Sequence, residues 1–172
     1  MIQIAQATLH IAPADLSATV QTWLGQPMRR EGLFAKLCLC GIAACLKNVP
    51  EQTGTTALLW ASSRGAQQEV EKIIDLICHQ QTLPMPFDFV ASQASVSAVY
   101  AAKRIGSVKT GLYLPGGEWP QMRDLASCWL QERRFDRVLC GRVEQADPNR
   151  PDSEHLSEWV LLAARPVEGE TT

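Results

Sequence analysis

Val108-Lys109-Thr110-Gly111-Leu112-Tyr113-Leu114, then Pro115-Gly116-Gly117, then a helical stretch closing on Arg137-Val138-Leu139-Cys140-Gly141-Arg142-Val143: residues 108–144 decide the fold. The segment reads as strand, tight glycine turn, helix, strand. That unit places a nucleophile at a strand end, or an anion at a helix N-terminus. This turn holds no Ser, Cys, His or Lys, and its one reactive-looking group is the carboxylate of Glu118. The sequence carries the scaffold of an active site with nothing at the turn to activate.

Working outward, Ile2–Ile11 alternates loosely and carries β-formers, so it reads as a strand that stops before Pro13. Residues 14–24 form a short helical or looped stretch packed down by Trp23, and residues 32–46 are apolar nearly all round, with only Lys36 charged. A helix of that kind is buried in its own domain or against a partner. Residues 55–61 read as a buried strand, and Ser62-Ser63-Arg64-Gly65 as a turn. Val70, Ile73, Ile74 and Ile77 then recur at i, i+3, i+4, i+7, which predicts an amphipathic helix with that face on the core. Leu83-Pro84-Met85-Pro86-Phe87 is a stiff crossing expected to hold Phe87 and Phe89 as an aromatic plug. Residues 92–105 form a small-residue helix, 145–156 a polar loop, 157–167 a last strand, and 168–172 a frayed, disordered tail.

The order β-α-β-α-α-β-α-β-β implies one α/β domain over residues 1–167, with a five-stranded, mostly parallel sheet covered on both faces. The last two strands have no helix between them, so the final strand is expected to run antiparallel, at an edge.

The chain has 172 residues, enough to bury a core without staples. A net charge of -2 argues against nucleic acid as the main partner, since phosphate binding wants a basic surface. No apolar run approaches the roughly 18 to 20 residues of a membrane span. The start Met1-Ile2-Gln3-Ile4 lacks the basic region of a secretory signal, and a cytoplasmic location is expected.

Cys38, Cys40 and Cys45 sit among leucines, where a free thiol behaves as a small hydrophobe. Cys38 and Cys40 point about 200° apart around a helix, a poor chelate, so no metal is expected. His79 near a helix C-terminus is a favourable cation position. The serines lie in no Gly-x-Ser-x-Gly elbow, and the glycine turn lacks the Gly-Lys-[Ser/Thr] ending of a P-loop. Arg133, Arg134, Arg137 and Arg142 form a basic run around one strand, either a solvated surface or a candidate contact for an acidic carrier protein.

The chain resembles the N-terminal half of a β-ketoacyl synthase, closest to the divergent, chain-length-factor-like members. The resemblance is carried by the opening strand Ile2–Ile11, by Leu58-Leu59-Trp60-Ala61-Ser62-Ser63-Arg64-Gly65 before a helix, and by Pro86-Phe87-Asp88-Phe89-Val90-Ala91-Ser92. The small-residue helix, Val108-Lys109-Thr110 and Arg137–Glu144 complete it. It implies a three-layer, half-thiolase-like fold with strand order 3-2-1-4-5, whose third strand is an edge that pairs with its counterpart in a second subunit. The dimer edge would comprise Val108, Lys109, Thr110, Leu112 and Leu114. The resembling enzymes use a Cys nucleophile with two histidines from a second half. The resemblance places that nucleophile near Leu112, so Thr110, Gly111, Leu112 and Tyr113 form a degenerate nucleophile turn and no catalytic residue carries over. Neither the motifs nor the resemblance implies a cofactor.

Three readings follow. The first is a non-catalytic synthase-like protein, a homo- or heterodimer, that supports fatty-acid, polyketide or polyene-lipid assembly by pairing with an active β-ketoacyl synthase or an acyl carrier protein. The second is a small acyl-thioester hydrolase or transferase using Cys128 or Cys140. The third is an interaction module unrelated to acyl chemistry.

Overall fold

The computed structural model describes residues 1–50, 54–150 and 152–165. Its strands are β1 (Ile2–Ile11), β2 (Thr56–Ser62), β3 (Val108–Pro115), β4 (Arg137–Glu144) and β5 (His155–Ala163). The helices are α1 (Leu16–Leu24), α2 (Leu33–Leu46), α3 (Gln67–Cys78), α4 (Pro86–Ala91), α5 (Ser97–Arg104) and α6 (Trp119–Gln131), with 3-10 turns at Pro13–Asp15 and Ala94–Val96. The expected tail, and residues 166 and 167 of the expected last strand, lie outside the described residues.

The sheet order is β1-β5-β4-β2-β3, with β2 parallel to β3 and β4, and β5 antiparallel to both β4 and β1. Four strands therefore point one way and the last points the other. The third strand is an edge, as expected. The order 3-2-1-4-5 is corrected to 3-2-4-5-1: β1 forms the far edge, and the antiparallel β5 lies inside the sheet. The burial patterns give the physical reason. β1 alternates exposed with half-buried residues along most of its length, as a strand with one wet face does, whereas Trp159, Val160, Leu161 and Leu162 of β5 are buried without interruption.

Helices cover both faces. On one side α1, α2 and α5 pack over Leu58, Trp60, Leu139, Trp159 and Leu161. On the other, α6 lays Met122, Ala126 and Leu130 on Ala57, Leu59, Val138 and Cys140. β2 is buried at every position, so its apolar run needs no alternation. α2 is the greasy helix of the sequence, and nine of its fourteen residues are buried.

Two expectations fail between β2 and β3. No residue of α3 is buried, and Val70, Ile74 and Ile77 are 42%, 50% and 49% exposed. Phe87 and Phe89 do not plug the core, since they are 56% and 47% exposed. The stiff crossing instead starts α4, because Pro86 suits the first helical position and the Asp88 carboxylate accepts the Met85 N–H at 2.9 Å.

Candidate functional site

The parallel strands end together at the turn after β3. Gly116 takes φ 64° there and donates its N–H to the Ser62 carbonyl at 2.8 Å, locking the turn onto the end of β2. Gly117 donates to the Leu114 carbonyl at 3.1 Å, and the Glu118 N–H is capped by Gln121 Oε1 at 3.0 Å. Pro120 lies in the first turn of α6, where its missing N–H costs nothing. The turn is built tightly, and the side chains it presents are those of Pro115, Glu118 and Trp119. The Trp119 indole donates to Glu158 Oε2 at 3.2 Å. Thr110, Gly111, Leu112 and Tyr113 lie within β3 itself, so the turn proper begins after them.

Beside it stands the turn after β2. Glu144, ending β4, accepts from Ser62 Oγ at 3.1 Å, Ser63 N at 2.8 Å and Ser63 Oγ at 2.7 Å, and pairs with Arg142 Nε at 3.2 Å. Ser62 Oγ in turn accepts from Gly65 N at 2.8 Å. Both hydroxyls are committed to the carboxylate, so this cluster ties β2 to β4. Tyr113 fills the space behind it, with Trp60 at 5.7 Å and Phe34 at 6.2 Å between ring centroids, and burial raises its phenol pKa.

The four buried thiols are unsuited to nucleophilic work. Burial pushes Cys38 and Cys140 up to about 12, and Cys40 and Cys45 up to about 11. Cys128 is exposed on α6, where its hydrogen bond to Glu132 at 3.4 Å raises its pKa. Cys78 is exposed. His155 is buried, and its Nδ1 accepts the Ala146 N–H at 2.8 Å. His10 lies on the surface 3.6 Å from Glu154. Among the described residues no three of His, Cys, Asp and Glu gather where a metal could be held. A cavity of about 520 Å³ opens at the opposite, N-terminal end of the parallel strands, between Leu46, Ile105, Arg137 and Leu161, away from the turn.

Along the β3 edge Val108 is buried, Lys109, Thr110 and Leu112 are exposed, and Leu114 is half-buried. Gly111 faces inward, where a Cβ would stand 2.5 Å from Ala98 and 3.1 Å from Trp60. Lys109, the one charged residue of the strand, donates to the Gly106 carbonyl at 3.2 Å. The four arginines are not one surface. Arg133 and Arg134 are exposed after α6, Arg137 is 8% exposed at the start of β4, and Arg142 sits near its far end beside Glu144. The exposed faces of α3 and α4 escaped the sequence reading. Their apolar spacing was visible, but not which surface would cover it.

No known sequence family and no curated protein matches the chain. Solved structures do, and the fold they share with it is the thiolase-type fold of the ketosynthases. One is a chain of the ketosynthase ApeO in complex with its chain length factor ApeC from Xenorhabdus doucetiae. It is 16% identical with a TM-score of 0.64, over 95% of this chain and 80% of that one. The ishigamide ketosynthase/chain length factor matches at 13% identity and TM-score 0.67, over 87% of this chain and 49% of that one. A type II polyketide ketosynthase complex with its acyl carrier protein, AntDE:AntF, matches at 12% and 0.69, over 94% and 62%. The chain thus spans most of the first chain's length and only about half to three-fifths of the other two.

Proposed function

We propose that the chain is a ketosynthase-like subunit without condensing chemistry of its own. It acts in the cytoplasm, and supports fatty-acid, polyketide or polyene-lipid assembly by pairing with an active synthase, which draws on acyl carrier protein. One observation carries this reading: the strand–turn–helix unit that would hold a nucleophile is intact from β3 to α6, and neither the turn nor residues 110–113 offer a thiol or an imidazole. Condensation needs an acyl-thioester nucleophile, which the β3–α6 segment does not supply, and in this reading a partner synthase supplies it. The likeness to chains solved in ketosynthase/chain length factor assemblies supports the same reading.

Pairing would run through β3, which has an open hydrogen-bonding edge and an exposed Leu112. The hydrolase alternative finds little support. Cys140 is fully buried with its thiol pushed up to about 12, and the hydrogen bond to Glu132 raises the pKa of the Cys128 thiol.

The test is a condensation assay with acyl and malonyl carrier proteins. The purified chain alone should form no carbon–carbon bond, and condensation should appear when an active ketosynthase from the same organism is added. Condensation by the chain alone, abolished by Cys128→Ala or Cys140→Ala, would contradict the proposal.

A further inference from the structure

The cavity of about 520 Å³ at the N-terminal end of the parallel strands is built where two helices end over the sheet. α2 stops at Leu46 and α5 at Arg104, and the chain leaves them through Val49 on one side and Ile105-Gly106-Ser107 on the other. Between them lies the sheet face that α2 and α5 cover elsewhere. Leu139 and Leu161, opposite each other on β4 and β5, form an apolar floor there. Gly106 keeps the rim low, since a Cβ there would meet no atom within 4 Å. At about 30 Å³ for each non-hydrogen atom, the space holds a body of roughly fifteen such atoms.

The charged groups on this apolar ground are of one sign. Arg137 opens β4 and is 8% exposed, with Thr56 opposite it on β2. Arg104 is exposed, and one of its Nη atoms donates to the Leu24 carbonyl at 2.7 Å. That bond fixes the guanidinium in place and commits only one of its five N–H groups. The Thr56 and Ser107 hydroxyls, 3.1 Å apart, bond each other. Among the described residues the lining holds no carboxylate. Asp136, next to Arg137, is engaged by Thr55, from whose N–H and Oγ1 it accepts at 2.6 and 2.9 Å. The C-termini of α2 and α5 bring about −0.5 charge each, and two full guanidinium charges outweigh them. An apolar pocket with a few convergent polar groups has the form of a small-molecule site, and a guanidinium fork matches a carboxylate.

We infer that this cavity binds a small monocarboxylate with an apolar body. Arg104 and Arg137 hold the carboxylate, and Leu46, Ile105, Leu139 and Leu161 receive the body. The site lies at the other end of the strands from the glycine turn and does not depend on the pairing proposed above. Aliphatic and aromatic acids share the required chemistry, so one of each serves as a probe.

The test is an amide NMR titration of the full chain with sodium decanoate and, separately, 4-phenylbutyrate, both kept below micelle formation. Decylamine is the control of opposite charge. At least one acid should shift the amides of residues 46–49 and 104–107 saturably, with a dissociation constant below about 1 mM. The tighter of the two identifies the body as a chain or a ring. Arg104→Met keeps an apolar stem, removes the charge, and should weaken binding about tenfold or more, while Arg104→Lys should restore part of the loss. The map of shifted amides needs no variant, so it decides the case even where Arg104→Met fails to fold. Four results would each overturn the inference. These are no saturation by either acid at ten times that concentration, equal binding of decylamine, shifts centred on the exposed residues 70–90 of α3 and α4, and a folded Arg104→Met chain that binds within twofold of the wild type.

Discussion

Trp159 is the side chain on which the most packing converges. Its ring lies over Gly141 of β4, where a Cβ would stand 2.3 Å away, and against Gly41 of α2, where the gap would also be 2.3 Å. It has no room to retreat, because it is 0% exposed and its indole donates to Ser157 Oγ at 2.9 Å, which in turn donates to the Leu37 carbonyl at 2.7 Å. Gly41→Ala or Gly141→Ala should therefore cost about 1–3 kcal/mol, read as a lower urea midpoint with an unchanged slope. A second prediction concerns His155. Burial lowers its pKa, against a smaller opposing pull from Glu69. The folded state thus binds fewer protons than the unfolded chain as pH falls through about 6.5, so this residue's share of stability is whole above that pH and shrinks below it. Between pH 7.5 and 5.5 the wild type should lose more of its melting temperature than His155→Gln does, and equal losses would contradict the assignment. The thiols give a third. A thiol reagent should modify Cys78 and Cys128 in the native protein, and reach Cys38, Cys40, Cys45 and Cys140 only on unfolding.

At the scale of elements, the sequence was a good guide where local pattern and final environment agree. The apolar run of α2, the contiguous strand β2 and the strand–turn–helix from β3 to α6 are legible because burial on all sides, or a glycine turn, leaves a local mark. The place of β1 left no such mark. Its alternation says that one face is wet, yet the same alternation fits either edge, and pairing with β5 across the whole chain is a non-local choice. α3 fails differently: periodicity reports that a face seeks cover and cannot say whose surface supplies it. The resemblance pointed to residues 110–113 for a degenerate nucleophile turn, but these lie within β3, and the turn itself comes a few residues later. The four arginines misled because residues 137 and 142 are close in sequence but sit toward opposite ends of one strand, and an odd spacing puts them on opposite faces. The edge strand carries its own prediction. Leu112→Lys should change stability by no more than about 0.5 kcal/mol, since the side chain is 39% exposed and lines no core, and a larger loss in chemical denaturation would mean that β3 is not a free edge.

The whole molecule is a thiolase-type half with a closed, polar side and an open, apolar one. Its polar side is the outward face of α6. Its open side runs from the unpaired edge of β3 to the exposed stripe of α3. The central claim is that a ketosynthase adds a strand to β3, and amide hydrogen exchange reads this most directly. In the free chain the outward-pointing N–H groups of residues 109–114 have no sheet partner among the described residues and should exchange quickly, while those of β2 and β4, paired on both sides, are protected. On addition of the ketosynthase, the β3 amides should become protected to the level of an interior strand, with β1 at the far edge unchanged. A stable complex in which β3 exchanges as fast as in the free chain would contradict the account.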